Sequence, residues 1–587
     1  MKRRSAMHVA AAVFLLAAGP GRAATPGSHP VQAEADVKVR MRDGVLLSAD
    51  VYRPQAEGRF PVLLERTPYD RHDPAKGILL ASHGYVVVLQ DTRGRYDSEG
   101  EFYPFRNEAS DGYDTVEWAA VLPQSNGKVG MFGGSYVGAT QMLAAMAKPP
   151  HLVAINPYVT ASEYYEGWTY QGGALMEWFA TSWSSGLAVD TLRRKAEQMA
   201  RPKDWVEAVP LDAERTVALP PMGDLAPYFG DWLRHEASDD YWRATRVSDH
   251  YGEMTVKALH MAGWHDIFSK GSIENYRGLR ARAATPEARA GQRLVVGPWA
   301  HARTSPEGKV GDVVFGKSAV PDGDDTLLRW AAFALRDEAN EFATGAPVRI
   351  FVMGDNVWRD EQEFPPARAR ATRYYLHSIR GANGVAGDGR LSTKAPATEP
   401  PDRYEYDPAN PVRTLGGRLC CGQAYAPGPA DQRPNESRPD VLVYSTPPLE
   451  ADVEVTGFVT AEIQAASNAR DTDFTAMLVD VDPSGYARYL ADGIVRARYR
   501  RTTERAEPLE PGRVETYSID LGATSNVFKA GHRIRLYVSS SNFPRFSRNA
   551  NTGEPFLGAT RMEKAGQTVY HDRLRASALV LPVVPRP

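Results

Sequence analysis

The sequence has almost no cysteine: two residues in a chain of 587. That excludes a disulfide scaffold and a cysteine-rich zinc or iron–sulfur site. It has no marked excess of either charge, with 69 Lys and Arg against 72 Asp and Glu and a formal net charge of −3. Nucleic-acid binders usually carry a strongly basic face, so that class is set aside. No apolar run approaches the length of about 18 residues read as a membrane-spanning helix, so no stable membrane insertion is expected. Internal repeats, heptad arrays and low-complexity tracts are absent too. What remains is the composition of a soluble globular protein, 43% hydrophobic and 24% charged. The 50 Gly and 43 Pro favour loops and β-structure. At about 150 residues per domain, the length predicts three or four domains.

The first 23 residues form a separate object. Lys2, Arg3 and Arg4 precede a short apolar run from Met7 to Ala18, and Gly21 and Ala23 put small residues before a cleavage point. This is the pattern of a secretory signal peptide, so residues 1–23 are expected to be removed and the protein exported, periplasmic or secreted. Losing the leader's four basic residues takes the net charge from −3 to −7.

The next segment alternates from Val37 to Met41, turns at Asp43-Gly44 and alternates again from Val45 to Val51, a β-hairpin signal. Nearly continuous apolar runs follow at 61–64, 85–89, 128–132 and 152–155, with helix-like segments at 111–121 and 136–147. Runs without alternation imply strands covered on both faces, and strand–helix alternation implies an α/β fold with a parallel sheet. Residues 159–254 break the pattern: rich in Trp, Tyr, Glu and Arg, they read as a helical cap. Buried-strand runs return at Val256–Ala262 and Leu294–Val296. From Ala346 onward, short alternating strands with Gly, Pro, Asn and Asp turns read as a sandwich or jelly roll, and 382–411 read as loops. The expected fold is α/β, with an α/β-hydrolase domain (31–158 and 255–340), an inserted helical cap (159–254) and a C-terminal all-β jelly-roll domain (346–585).

The segment from Val129 to Ala139 carries most of the chemical signal. A buried strand meets Gly133-Gly134-Ser135 and then a helix. Small residues around a serine allow the sharp turn that lifts Oγ out of the sheet. The second glycine, Gly138, sits at +3, where the usual nucleophile motif has it at +2. The rival reading of Ser135 is a helix N-cap. A nucleophilic serine needs a base, and the base needs an orienting carboxylate, following it in the order acid then histidine. Asp266 follows the first strand after the cap, and His301 follows the next. His265 is the chief rival base, but it precedes the last strand; His83 and His151 precede the cap. For the oxyanion, the Tyr136 backbone N–H is one donor by position, and the Tyr69 hydroxyl, after the strand at 61–66, is the candidate second.

With these strings the chain resembles the serine hydrolase family of bacterial cocaine esterase and the X-Pro dipeptidyl-peptidases, which also holds α-amino-acid ester hydrolases and glutaryl cephalosporin acylases. The strings are RTPYDR (66–71), QDTRGRYDSEGEF (90–102), NGKVGMFGGSYVGATQ (126–141), AGWHDIF (262–268) and VVGPWAH (295–301). Further on come DTDFTAMLVDVDPSG (471–485), DGIVRARYR (492–500) and AGHRIRLYVSSSNFPRF (530–546). The resemblance implies an α/β-hydrolase, a helical cap and a jelly roll. It implies Ser135, Asp266 and His301 as the catalytic triad, and the Tyr69 hydroxyl with the Tyr136 N–H as the oxyanion hole.

The expected function is an exported serine hydrolase acting on a small-molecule ester, amide or short peptide, with no cofactor and no metal. Residues 263–268 resemble the cocaine-esterase type of acid loop. X-Pro dipeptidyl-peptidase and α-amino-acid ester hydrolase activities are the alternatives, and they call for carboxylates that hold an ammonium, for which Glu163 and Glu166 are candidates. From another class, the alternative is a jelly-roll carbohydrate- or partner-binding protein with an inactive hydrolase domain. Trp168 and Phe268 are the substrate-binding candidates; the cap aromatics Tyr164, Tyr165, Trp168, Tyr170, Trp178, Phe179 and Trp183 read equally as an acyl or aryl pocket or as the cap's own core. Cys420 and Cys421 read either as a labile vicinal disulfide or as two thiols, with no catalytic role. Asp471, Asp473, Asp480 and Asp482 read as turn and surface residues. Homo-oligomerisation stays open.

Overall fold

The computed structural model describes residues 27–198, 223–301, 304–422 and 424–586. The leader (1–23) and part of the cap (199–222) lie outside the described residues.

The first half is built on a ten-stranded sheet. Its strands are β1 (Val31–Arg40), β2 (Leu46–Pro54), β3 (Phe60–Thr67), β4 (Val86–Asp91), β5 (Ser125–Gly134), β6 (Leu152–Tyr158), β7 (Lys257–His265), β8 (Gln292–Ala300), β9 (Val348–Val352) and β10 (Val357–Glu361). They lie in the order β1-β2-β4-β3-β5-β6-β7-β8-β9-β10. From β4 through β9 neighbouring strands are parallel; β1–β2, β2–β4 and β9–β10 are antiparallel. The central strands are buried on both faces. Val62, Leu64, Val86, Val88 and Val129 face one core cluster, and Leu63, Val87, Leu89 and Phe132 face another. That two-sided burial is why these strands read as continuous apolar runs.

Helices cover the sheet: α1 (Pro74–Ser82), α2 (Glu108–Ala120) and α3 (Tyr136–Met146) before the cap, α6 (Ser269–Arg282) and α7 (Gly323–Arg336) after it. In the cap, α4 (Glu177–Gln198) and α5 (Pro227–Arg234) are the longest described helices. The α1 start is set by Pro74 in its first turn and by Asp73, whose side chain accepts from Lys76 N. Helix α3 is buried from Tyr136 to Ala145, so its Ala-, Val- and Met-rich sequence packs on all sides.

Twelve strands between Arg370 and Val584 form the second sheet. Its longest pair is Val453–Ser467 against Glu515–Phe528, antiparallel. Alternate residues (Val455, Val459, Ala461, Ile463 and Ala465; Tyr517, Ile519, Leu521 and Ala523) fill its core and are fully buried. Two positions correct the sequence reading. The strand at Val348, expected to open the β-domain at 346, instead extends the hydrolase sheet, pairing parallel to β8; Val348, Ile350, Phe351 and Val352 are all buried, as in the other parallel strands. The stretch 382–411 holds two short strands, Arg390–Ser392 and Asp402–Tyr406.

The aspartates of the β-domain are also corrected. Asp471, Asp473 and Asp480 are 1–2% exposed and are held by Arg498, Arg496 and Arg488 at 2.6, 3.0 and 2.7 Å. A charge is buried only when paired, and the arginine partners are distant enough in sequence to hide the pairing.

Candidate active site

Strand β5 delivers Ser135 at a turn whose backbone is strained. Ser135 has φ 61° and ψ −127°, a region that costs a non-glycine residue of order 1–3 kcal/mol. Gly133 before it has φ 127°, and a Cβ there would lie 2.3 Å from Val137 Cγ1. The side chain at +2 thus fits because the residue at −2 has none. Gly138, at +3, lets α3 approach the Thr160 side chain, whose Cβ would be 2.8 Å from an added methyl. These two contacts account for the displaced second glycine.

The Ser135 side chain does not cap α3, which removes the rival reading. Its Oγ lies 3.1 Å from His301 Nε2. His301 Nδ1 lies 2.7 Å from Asp266 Oδ2, and the Phe268 N–H donates to Asp266 Oδ1 at 2.6 Å. Asp266 is fully buried, Ser135 is 3% exposed and His301 is 7% exposed. The three residues expected as a triad therefore form one hydrogen-bonded chain at the C-terminal ends of β5, β7 and β8. The rival base His265 is elsewhere. It is fully buried near Phe315 and Tyr489, neither ring nitrogen has a hydrogen-bond partner among the described residues, and burial holds its imidazole well below the ordinary value.

Tyr69, two residues past β3, brings its hydroxyl to the same place. It accepts from Trp183 Nε1 at 2.9 Å, and it interacts with the Ser135 side chain and the Tyr136 backbone N–H. Burial pushes the Tyr69 phenol above its ordinary value, against the opposing effect of the Trp183 donor. It therefore stays protonated at neutral pH. Tyr136 is anchored behind Ser135: its hydroxyl donates to Glu108 Oε1 at 2.9 Å and accepts from Phe105 N–H at 2.9 Å. Arg66 donates to Glu108 Oε2 at 2.7 Å. Sequence reading missed Glu108, and it left Trp183 among seven aromatics; both contacts are too distant in sequence to be read from spacing.

Trp168 and Phe268 stack on one another with centroids 4.3 Å apart, and Phe268 meets the His301 ring edge-on at 5.2 Å. Both are fully buried. Phe179 and Trp183 complete this aromatic layer. Tyr164, Tyr165 and Tyr170 are buried in the apolar cluster that the cap shares with the hydrolase domain, with Tyr164 stacked on Phe105. Trp178 alone turns away, toward Tyr425. The cap glutamates are engaged: Glu163 with Arg246 at 2.8 Å and Glu166 with Lys270 at 3.2 Å.

One group of potential metal-ligating side chains gathers closely among the described residues: His301 with Cys420 and Cys421. The two cysteines form a disulfide. Sequence reading set this pair apart from the chemistry because it lies in the β-domain; the fold carries it to the histidine.

The ten-stranded sheet, the strained serine turn and the β-rich C-terminal half define an α/β-hydrolase. Residues 43–303 match the X-Pro dipeptidyl-peptidase (S15 family), and residues 340–580 match the X-Pro dipeptidyl-peptidase C-terminal non-catalytic domain. The chain is 39% identical to the cocaine esterase of Rhodococcus sp. (strain MB1 Bresler) over 578 residues, 94% of this chain and 98% of that one. Among solved structures it resembles an aminopeptidase from a marine sediment archaeon (Thaumarchaeota archaeon; TM-score 0.79, 25% identity, 95% and 97% of the chains). It also resembles an α-amino acid ester hydrolase (TM-score 0.77, 25% identity, 95% and 98%). The chain belongs to the serine hydrolase family of the cocaine esterases and X-Pro dipeptidyl-peptidases.

Proposed function

We propose that this protein is an exported carboxylic ester hydrolase in which Ser135, His301 and Asp266 act as nucleophile, base and orienting acid. The observation that carries the reading is the strained Ser135, uncapped and 3.1 Å from His301 Nε2. His301 takes the Ser135 proton as Oγ attacks the ester carbonyl. The oxyanion accepts from the Tyr69 hydroxyl and the Tyr136 N–H, a preorganised pair in which one donor is worth about 3–4 kcal/mol of transition-state stabilisation. His301 then gives the proton to the leaving alcohol and activates the water that releases the acid, while Asp266 holds the imidazole in the productive tautomer.

Two observations support an ester with an apolar or aryl acyl group. An aromatic layer meets the His301 ring, with Trp168 behind Phe268. Glu163 and Glu166, the cap carboxylates that an α-ammonium substrate would call on, are already paired with cations. The leader at 1–23 supports export, and N-terminal sequencing of the protein recovered outside the cytoplasm tests it: a chain starting at Ala24 is the expected result. A substrate panel tests the rest. Butyrate and benzoate aryl esters should be hydrolysed far faster than an X-Pro anilide; the reverse order would favour the dipeptidyl-peptidase reading. A fluorophosphonate should label Ser135, and a folded protein that resists labelling would favour the binding-protein reading.

A further inference from the structure

Cys420 and Cys421 belong to the β-domain in sequence but to the hydrolase centre in space. Arg418 fastens their segment there. Its Nε donates to Trp264 O at 3.2 Å, at the end of β7 two residues before Asp266. Its two other nitrogens donate to Leu521 O and Ala523 O at 2.5 and 2.8 Å, and its own carbonyl accepts from Arg545. On the other side, a Cβ on Gly422 would lie 2.2 Å from the Trp178 ring of α4. The segment is thus gripped between the acid-bearing strand, the cap and the β-domain. Cys420 is 4% exposed, and one ligand atom from each of Cys420, Cys421 and His301 lies within 4.8 Å of the others.

We propose that this pair and His301 form a redox-gated site for a thiophilic divalent cation such as Zn2+ or Cd2+, open only when the disulfide is reduced. The inhibitory consequence rests on the reading of His301 as the base; the binding does not. As a disulfide the sulfurs offer no thiolate and the site is closed. A phosphine reductant donates its electron pair to the S–S bond and leaves, with the oxygen of one water, as the phosphine oxide, while each sulfur takes a proton. The cation then displaces both thiol protons and binds Cys420 Sγ, Cys421 Sγ and a His301 ring nitrogen. His301 Nδ1 is already held by Asp266, so Nε2 is the nitrogen that can turn to the metal, and in doing so it leaves Ser135. Two thiolates and an imidazole are the donors a tetrahedral Zn2+ prefers, with ligand atoms about 3.6 Å apart, and a water fills the fourth position. The gathered atoms need shifts of about an ångström to reach that spacing.

The full-length protein tests this in two forms, oxidised and phosphine-reduced, with the reductant removed anaerobically. Thiol titration of the folded reduced form should find both cysteines. Cd2+ titration should then give the ultraviolet thiolate-to-cadmium charge-transfer band, saturating at about one ion per chain, and no band in the oxidised form. In parallel, turnover of an activated aryl ester by the reduced form should fall roughly 100-fold or more with the ion and return on chelation, as removal of the base demands. The oxidised form should change by less than about twofold under the same ion. The Cys420→Ser/Cys421→Ser variant should lose the band, and its rates with and without ion should agree. A reduced form with both thiols titratable and no band overturns the proposal, as does a band without inhibition, since His301 is then not a ligand. Thiols that resist reduction in the folded protein overturn it too. If the metal-free protein hydrolyses nothing, the hydrolase reading fails while the charge-transfer band still decides the binding site.

Discussion

Two regions of this molecule bury polar groups, and they treat them differently. At the hydrolase centre the groups are few and arranged in series: Asp266 to His301 to Ser135, with Tyr69 alongside. Along the β-domain most buried carboxylates are matched by arginines, while Asp402 is held by His571, Tyr444 and Ser378. Asp473 accepts from Arg496 Nε and Nη2 at 3.0 Å each and from Asn549 at 2.9 Å, and Arg545 lies 2.8 Å from Asp492. A fully paired buried charge has nothing left to offer a substrate and holds the structure together. The chain at Ser135 holds no matched cation and ends on a hydroxyl that does not cap its helix, which is the arrangement the proposed nucleophile requires. The contrast separates the two regions better than burial alone, because Ser135, His301 and Asp473 are all buried.

The contrast breaks most visibly at Ser135. Ser135→Ala should lower hydrolysis of an activated ester by about 10⁴-fold or more, yet leave the thermal midpoint within a degree or two; a large loss of stability would mean the centre is scaffold after all. The mirror experiment is Asp473→Ala. It leaves Arg496 buried without its partner and should cost about 3–5 kcal/mol in denaturant unfolding, with activity per folded molecule retained. Replacing both partners by apolar residues of similar volume should recover most of that loss. Tyr69→Phe removes one donor without changing shape and should lower kcat by roughly 10²–10³-fold with little change in KM, measured on the same ester.

A pH experiment sharpens the exception. Glu177, at the start of α4, is buried near Arg548 and Arg496, and burial pushes its carboxyl up to about 8 against those two cations. The folded state therefore holds this proton to a higher pH than the unfolded chain, whose carboxyl titrates near 4.5. Stability from this group is present at low pH and falls as pH rises from about 4.5 to 8. Glu177→Gln cannot lose a proton, so its thermal midpoint should fall less than that of the parent between pH 5 and pH 8; equal slopes would show that Glu177 is paired like its neighbours.

Much of the fold was legible because its causes are local. The runs at 61–64, 85–89 and 128–132 are apolar on both faces because both faces are covered, and the glycines around Ser135 mark a turn that few other residues permit. Chain order then nominated Asp266 and His301, since groups that meet at strand ends must follow successive strands. The strand at Val348 misled because its single exposed residue, Arg349, mimics alternation. The aspartates at 471, 473 and 480 misled because a strand face looks polar whether it meets water or arginine. The question of the cap aromatics was undecidable in sequence: helical spacing of Trp and Tyr is the same for a core and for a pocket wall.

The amino-acid order by itself determined the strand–helix alternation, the strained serine turn and the sequence positions of an acid and a histidine, all set by backbone sterics and by the periodicity of burial. Only the tertiary structure decided which side chains share a point in space. It brought Trp183 to the Tyr69 hydroxyl across 114 residues, and it brought Cys420 and Cys421 to His301 from another domain. The reason is physical: contacts across packed layers depend on how whole elements dock, and docking depends on the summed fit of many side chains that no short stretch of sequence contains.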